Sequence, residues 1–329
     1  MERDEKLTKT TLLPLLSRGG GKVAPQINHY PTMKSPKLLT LAATAALITS
    51  ASASVTMDWV TVGNAGNAAD TTGYGAVGYN YQIGKYEVTN AQYGAFLNAA
   101  AQTDSYGLYN SNMSSFGITK SGSSGSYSYS VSTALANRPV VYVSWFDAAR
   151  MANWMMNGQG SGGTETGAYT LNGAINGIVL ANAGAQVYIP TGDEWYKAAY
   201  YNGATSTYSL YPNGEDSITT ANANYDFNVG SAVNVGTYSS APSSYGTFDQ
   251  GGNVGEWNDK LSGPGGSWRG LRGGSWADFD LSLESTGSWG YDPWLENNTI
   301  GFRLASVPEP SSLVLTMLAS GVMLIRRKR

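Results

Sequence analysis

Three short segments of this chain carry the chemistry of a helix start, and little else in it has a long-range pattern. That combination confines the fold to a few short helices set in irregular chain. Thr89 followed three residues later by Gln92 forms a capping box, after which Tyr93, Phe96, Leu97 and Ala100 fall on one helical face. Ser144 with Asp147 opens a second helix carrying Ala148, Ala152, Met155 and Met156. Thr191 with Glu194, directly after Pro190, opens a third with Trp195, Ala198 and Ala199 inward. Between them the chain is rich in Gly, Ser, Asn and Tyr, which predicts loops and short strands. Ile300, Phe302 and Leu304 alternate with Gly301 and Arg303, as in a half-buried strand. Tyr81, Ile83 and Val140 to Val143 are further strand candidates. Ser121 to Ser132, a Ser/Gly/Tyr stretch, reads as a surface insertion, and Gly158 to Gly163 as a turn without the Lys-Ser/Thr ending of a phosphate loop.

The two ends read as processing signals. Met33-Lys34-Ser35-Pro36-Lys37 is basic, Leu38 to Ile48 is apolar, and Ala51-Ser52-Ala53 is a small-residue cleavage site. Residues 33–53 are therefore expected to direct export, with Met33 a candidate true start and residues 1–32 an upstream segment outside the fold. At the other end Val307-Pro308-Glu309-Pro310 precedes an apolar run from Leu313 to Ile325 and then Arg326-Arg327-Lys328-Arg329. That order resembles the PEP-CTERM sorting tail, so residues 307–329 imply transient membrane anchoring and later removal, leaving the protein at the cell surface or in the extracellular matrix. A permanent anchor is the alternative, although thirteen residues fall short of the roughly 20 that span a bilayer.

What remains, residues 54–306, holds nine Lys and Arg against nineteen Asp and Glu, a net charge of −10. Such a domain is repelled by nucleic acid and by anionic lipid. With no cysteine anywhere, disulfides and thiolate metal sites are excluded together.

Seven spaced segments carry a family likeness: YQIGKYEVTNAQYGAFLNA (Tyr81 to Ala99), RPVVYVSWFDAARMANWM (Arg138 to Met155), VYIPTGDEWYKAAYY (Val187 to Tyr201), YPNGED (Tyr211 to Asp216), FDQGGNVGEW (Phe248 to Trp257), LRGGSW (Leu271 to Trp276) and IGFRLA (Ile300 to Ala305). In this order they resemble the formylglycine-generating, sulfatase-modifying factor family. The resemblance implies an α+β, irregular C-type-lectin-like fold with few short strands and helices and high loop content. It also implies calcium, held by side-chain oxygens of Asp249 and Glu256 and carbonyls of Gly252 and Val254, a hard-oxygen set. A second calcium site would use Asn224 and the carbonyl of Tyr225.

The chain departs from the family where the oxidase chemistry lies. Asp278 and Leu283 stand at the positions of the two copper-binding cysteines, and neither a carboxylate nor a leucine replaces a thiolate, so no copper is expected. The only histidine, His29, lies upstream of the export signal, which removes both an iron-binding variant and a nucleophilic triad. Asp278 and Asp280 leave a paired-carboxylate hydrolase open.

The expected function is an exported, non-catalytic, calcium-stabilised module that binds an extracellular glycan, peptide or protein. Its ligand surface is placed at Trp276, Asp278, Trp289, Tyr291 and Trp294, where aromatic faces sit beside carboxylates. The alternatives are that these tryptophans are core, that altered chemistry persists in the groove, or that the protein belongs to an exopolysaccharide matrix.

Overall fold

The computed structural model describes residues 54–307. Residues 1–53, which include the segment read as an export signal, and residues 308–329 of the segment read as a sorting tail lie outside the described residues.

Strands β1 (Trp59–Val62) and β2 (Tyr81–Gly84) pair antiparallel, Val60 opposite Ile83. The chain then enters α1 (Asn90–Ala100), where the Thr89 hydroxyl accepts from Gln92 N–H and the Gln92 side chain accepts from Thr89 N–H. A hairpin of β3 (Ile118–Ser121) and β4 (Ser128–Val131) follows. Ser121 to Ser132 lies at the surface, as its composition predicts, with most of its residues exposed, yet it is anchored through one side chain. Tyr129 is buried, its hydroxyl donates to Ala101 O at 2.7 Å, and the Asn98 amide bonds both backbone groups of Tyr129, at 2.9 and 2.7 Å. The hairpin is thereby fixed to the side of α1.

Helix α2 (Trp145–Met156) begins at the Ser144/Asp147 box and is the centre of the molecule, since every residue from Trp145 to Trp154 is buried. Strand β5 (Val187–Tyr188) leads to α3 (Gly192–Tyr200), opened by Thr191 and Glu194, and then to the two-residue strands β6 (Tyr201–Asn202) and β7 (Thr207–Tyr208). All three predicted helices are thus present with their boxes closed, each cap side chain replacing an otherwise unpaired N–H partner for about 1 kcal/mol.

A second sheet comes from β8 (Gly255–Ser262), β9 (Trp268–Arg272), β10 (Trp289–Tyr291) and β11 (Ile300–Phe302), in the order β10-β9-β8-β11. Only β8 and β11 run parallel. After β11 the chain passes through Arg303 and Leu304 into β12 (Ala305–Ser306), which lies between β2 and β5 of the first sheet. Residues 300–306 therefore stitch the two sheets together. They are not half-buried as the alternation predicted: Gly301 and Arg303 are buried with the apolar residues, because Arg303 faces an internal carboxylate rather than solvent. Val140 to Val143 forms no strand. Val140 N–H reaches Val88 O, but Tyr142 takes φ +59°, which breaks an extended ladder.

Candidate functional site: an aromatic cleft above a buried acid cluster

The loop that precedes β8 coils tightly, with Asp249, Gly252 and Asn253 all at positive φ. Gly252 is required there, because a Cβ would lie 2.2 Å from Asn224 O. Backbone bonds lock the loop in place: Gly252 N–H to Gly273 O, Asn253 N–H to Asn224 O, and Trp276 N–H to Asn253 O. The aromatic segment after β9 is thus hung directly on the acidic loop.

Inside this knot lies a cluster of acids around one arginine. Glu256 and Arg303, both fully buried, make two contacts of 2.6 Å, and Glu256 Oε2 also accepts from the Trp195 indole at 2.6 Å. Both oxygens of Glu256 therefore face Arg303 and Trp195. Asp249 accepts from Gly236 N–H at 2.6 Å. Burial pushes its carboxyl up to about 6, against the pull of that hydrogen bond and of Arg303. Val254 is fully buried.

Asn253 links this cluster to two acceptors that have no partner. Its amide donates to Glu87 Oε1 at 2.9 Å, and its Oδ1 receives Val233 N–H and the Asn224 amide. Glu87 Oε2 and Asn224 Oδ1 remain buried and unsatisfied. Burial, then the charges of Asp249 and Glu256, push the Glu87 carboxyl well above its ordinary range. Glu87 was not singled out in the sequence. Its one signal, an acid just before the Thr89 cap, says nothing of the loop that contacts it.

An orphaned amide oxygen is the feature a hard cation would satisfy, so the Asn224 side chain fits calcium, whereas the Tyr225 carbonyl accepts from Asn228 N–H at 3.1 Å. The Asp249/Glu256 set fits less well, because the Glu256 oxygens already have donors. Among the described residues no group of three His, Cys, Asp or Glu side chains could hold a metal ion.

On the outer side of the same loop, the second sheet bounds a cavity of about 180 Å³, lined by Asp278, Ser282, Trp289, Tyr291, Leu295 and Asn297 among others. Three of the five residues predicted for the ligand surface line it. The other two stand at its edge: Trp276 donates to Asn298 O, and Trp294 precedes Leu295. None of the three tryptophans is buried, and Trp294 is 58% exposed, so they are not core.

Further apolar side chains escaped the sequence reading. Phe227 packs edge-on against Trp276 at 5.8 Å, and backbone bonds from Asp226 to Asp278 and from Phe227 to Trp276 hold that loop alongside the cleft. Phe227, Val229, Phe279 and Leu281 are all exposed. Sequence shows that such residues are apolar; it does not show that nothing covers them.

The two positions matched to copper ligands are structurally occupied. Asp278 Oδ2 accepts from the backbone and hydroxyl of Ser275, at 2.9 and 2.6 Å, and closes a turn. Leu283 is fully buried against Tyr211, Ala223 and Tyr225.

The sequence model of the sulfatase-modifying factor enzyme 1-like domain matches residues 57–307. Among curated proteins none matches the chain. Among solved structures, CarF aligns with a TM-score of 0.54 and 23% identity, over 77% of this chain and 99% of its own. The Treponema denticola variable protein 1 aligns with a TM-score of 0.55 and 20% identity, over 78% of this chain and 97% of its own. At such identities these neighbours establish the fold alone, the irregular α+β, C-type-lectin-like arrangement described above. The family match spans most of the chain, so this protein belongs to the sulfatase-modifying factor enzyme 1-like family.

Proposed function

We propose that this chain is a non-catalytic binding member of its family, exported and calcium-stabilised, which holds an extracellular glycan, peptide or protein in the aromatic cleft. The observation that carries this reading is the pairing of an open cleft with a closed catalytic position. Trp289, Tyr291 and Trp294 stand unburied around a cavity, while Asp278 and Leu283 take the places of the cysteines and are committed to a turn and to the core. Flat apolar faces beside hydrogen-bonding groups suit ligand binding, and nothing there supplies a thiolate for copper. Export and a removable tail, both read from the sequence, would place the mature domain at the cell surface.

The test uses Trp289→Ala and Trp294→Ala beside the wild type, each purified, melted and screened against glycans, peptides and host exopolysaccharide. Trp294→Ala is expected to melt like the wild type and to lose ligand. A fully buried Trp→Ala change costs roughly 3 to 5 kcal/mol, so collapse of both variants would make the cleft structural. If all three proteins bind nothing in the screen, the binding reading fails as well.

A further inference from the structure

We propose that the occupant of this cleft is a cationic, partly apolar stretch of polypeptide, in which Lys or Arg side chains alternate with aliphatic or aromatic ones. The inference rests on the binding reading above and specifies its ligand.

The first support is the distribution of charge. Among the described residues no Lys or Arg is exposed. Arg150 is bonded to Glu165, Arg269 to Asp259 and Arg303 to Glu256. Arg272 lies between the rings of Tyr74 and Tyr196, and Lys260 stands over Tyr74. The outer surface carries acids instead, and they gather at the cleft. Asp226, Asp280 and Asp292 are exposed around it, and Asp278 lines it. The half-buried Arg138 donates to Ser231 beyond Val229, but the exposed charges at the cleft are carboxylates, which attract a cation and repel an anionic polymer.

The second support is the apolar rim. Phe279 and Leu281 are 63% and 69% exposed, and Phe227 and Val229 are 55% and 48% exposed. Exposed apolar patches with a polar border mark contact surfaces. Aliphatic branches such as Leu281 and Val229 offer no flat face for a sugar ring, whereas they suit the apolar side chains of a peptide. The third support is size. A cavity of about 180 Å³ is below the ~300 to 1,000 Å³ of sites that enclose a whole small molecule. It holds one anchoring side chain, leaving the rest of the ligand along the rim, where Tyr291 and Trp294 offer ring faces to an ammonium or guanidinium group.

The probes are a short synthetic peptide alternating Lys with Leu and Gly, its counterpart with Glu for Lys, its counterpart with Ser for Lys, and an oligomer of glucosamine. The Lys peptide is expected to bind the wild-type protein, more weakly as salt is raised through the range where the Debye length falls below about 10 Å. Asp280→Asn and Asp292→Asn are each expected to weaken it by roughly two- to fivefold, the scale of one exposed ion pair, with unchanged melting temperature. Trp294→Ala should abolish it. Preference for the Ser or Glu peptide, or for the glucosamine oligomer, with the same dependence on Trp294, would overturn the peptide-cation inference and leave the binding reading standing. Binding of no probe, or binding indifferent to Trp294, would overturn both.

Discussion

Glu256 and Arg303, at the heart of the molecule, form an ion pair with two contacts of 2.6 Å and no solvent exposure on either side. Arg303 also donates to Gly84 O and Phe248 O, so one guanidinium ties β2, the acidic loop and β8 to the seam between the sheets. Arg303→Met leaves a buried carboxylate unpaired and is expected to cost roughly 3 to 5 kcal/mol in chemical denaturation. Adding Glu256→Leu should recover part of that loss, because the unpaired charge is then gone. A single-variant cost under about 1 kcal/mol would show that the pair does not hold the sheets together.

That pair also marks the limit of what the sequence discloses. The three helices were legible because a capping box is local, three residues of chemistry that need no knowledge of the rest of the fold. Alternation at Ile300 to Leu304 was legible as a strand, yet an inward-facing arginine and an outward-facing one look alike until the counterion is known. Glu87 meets Asn253 across 166 positions, a separation at which no spacing rule operates. In the cleft, the family resemblance located the segment and its aromatic residues then pointed to Trp276, Trp289, Tyr291 and Trp294, whereas nothing local marks Phe279 and Leu281 as exposed.

Asp147 gives the fold a stability that falls as pH rises. Burial, assisted by the charge of Glu296, lifts its carboxyl from 3.8 to about 7, while the Ser144 cap bonds and Arg150 oppose the shift. A raised carboxyl favours the folded state when protonated. Its contribution is complete below the unfolded value of 3.8 and is lost as pH climbs through about 7. Asp147→Asn keeps an oxygen for the Ser144 N–H and removes the titration. The variant is therefore expected to match the wild type near the acid end and exceed it by roughly 2 to 4 kcal/mol at neutral pH. Urea melts across this range decide the matter, and a difference that stays constant with pH would refute it.

Copper should find no thiolate site in this chain. Asp278 is turned toward Ser275, Leu283 lies in the core, and the chain has no cysteine, so soft thiolate ligation is absent. Added Cu(I) is expected to dialyse away, and a Cys-containing sulfatase peptide incubated with the protein should keep its mass. Formylglycine in that peptide would show a different oxidase chemistry and reopen the cleft as an active site.

Calcium is expected to act through the orphaned oxygen of Asn224. A ligand that binds only the native state stabilises it by RT ln(1 + [L]/Kd), so a micromolar site in millimolar calcium gives roughly 4 kcal/mol and a millimolar site under about 0.5 kcal/mol. The larger figure is expected, read as a rise in melting temperature over protein held in chelator. Two variants separate the candidate sites. Asn224→Ala loses the amide that bonds Ser231 O as well as the free oxygen, so it starts from a lower baseline, and the informative quantity is its response to calcium. Asp249→Ala removes the carboxylate that accepts from Gly236 N–H. Loss of the response in Asn224→Ala alone would place the ion beside Tyr225, whereas loss in Asp249→Ala alone would place it in the acidic loop. A wild-type melting temperature that chelator leaves unchanged would remove calcium from the fold, and the unpaired oxygens of Glu87 and Asn224 would then be met by internal water.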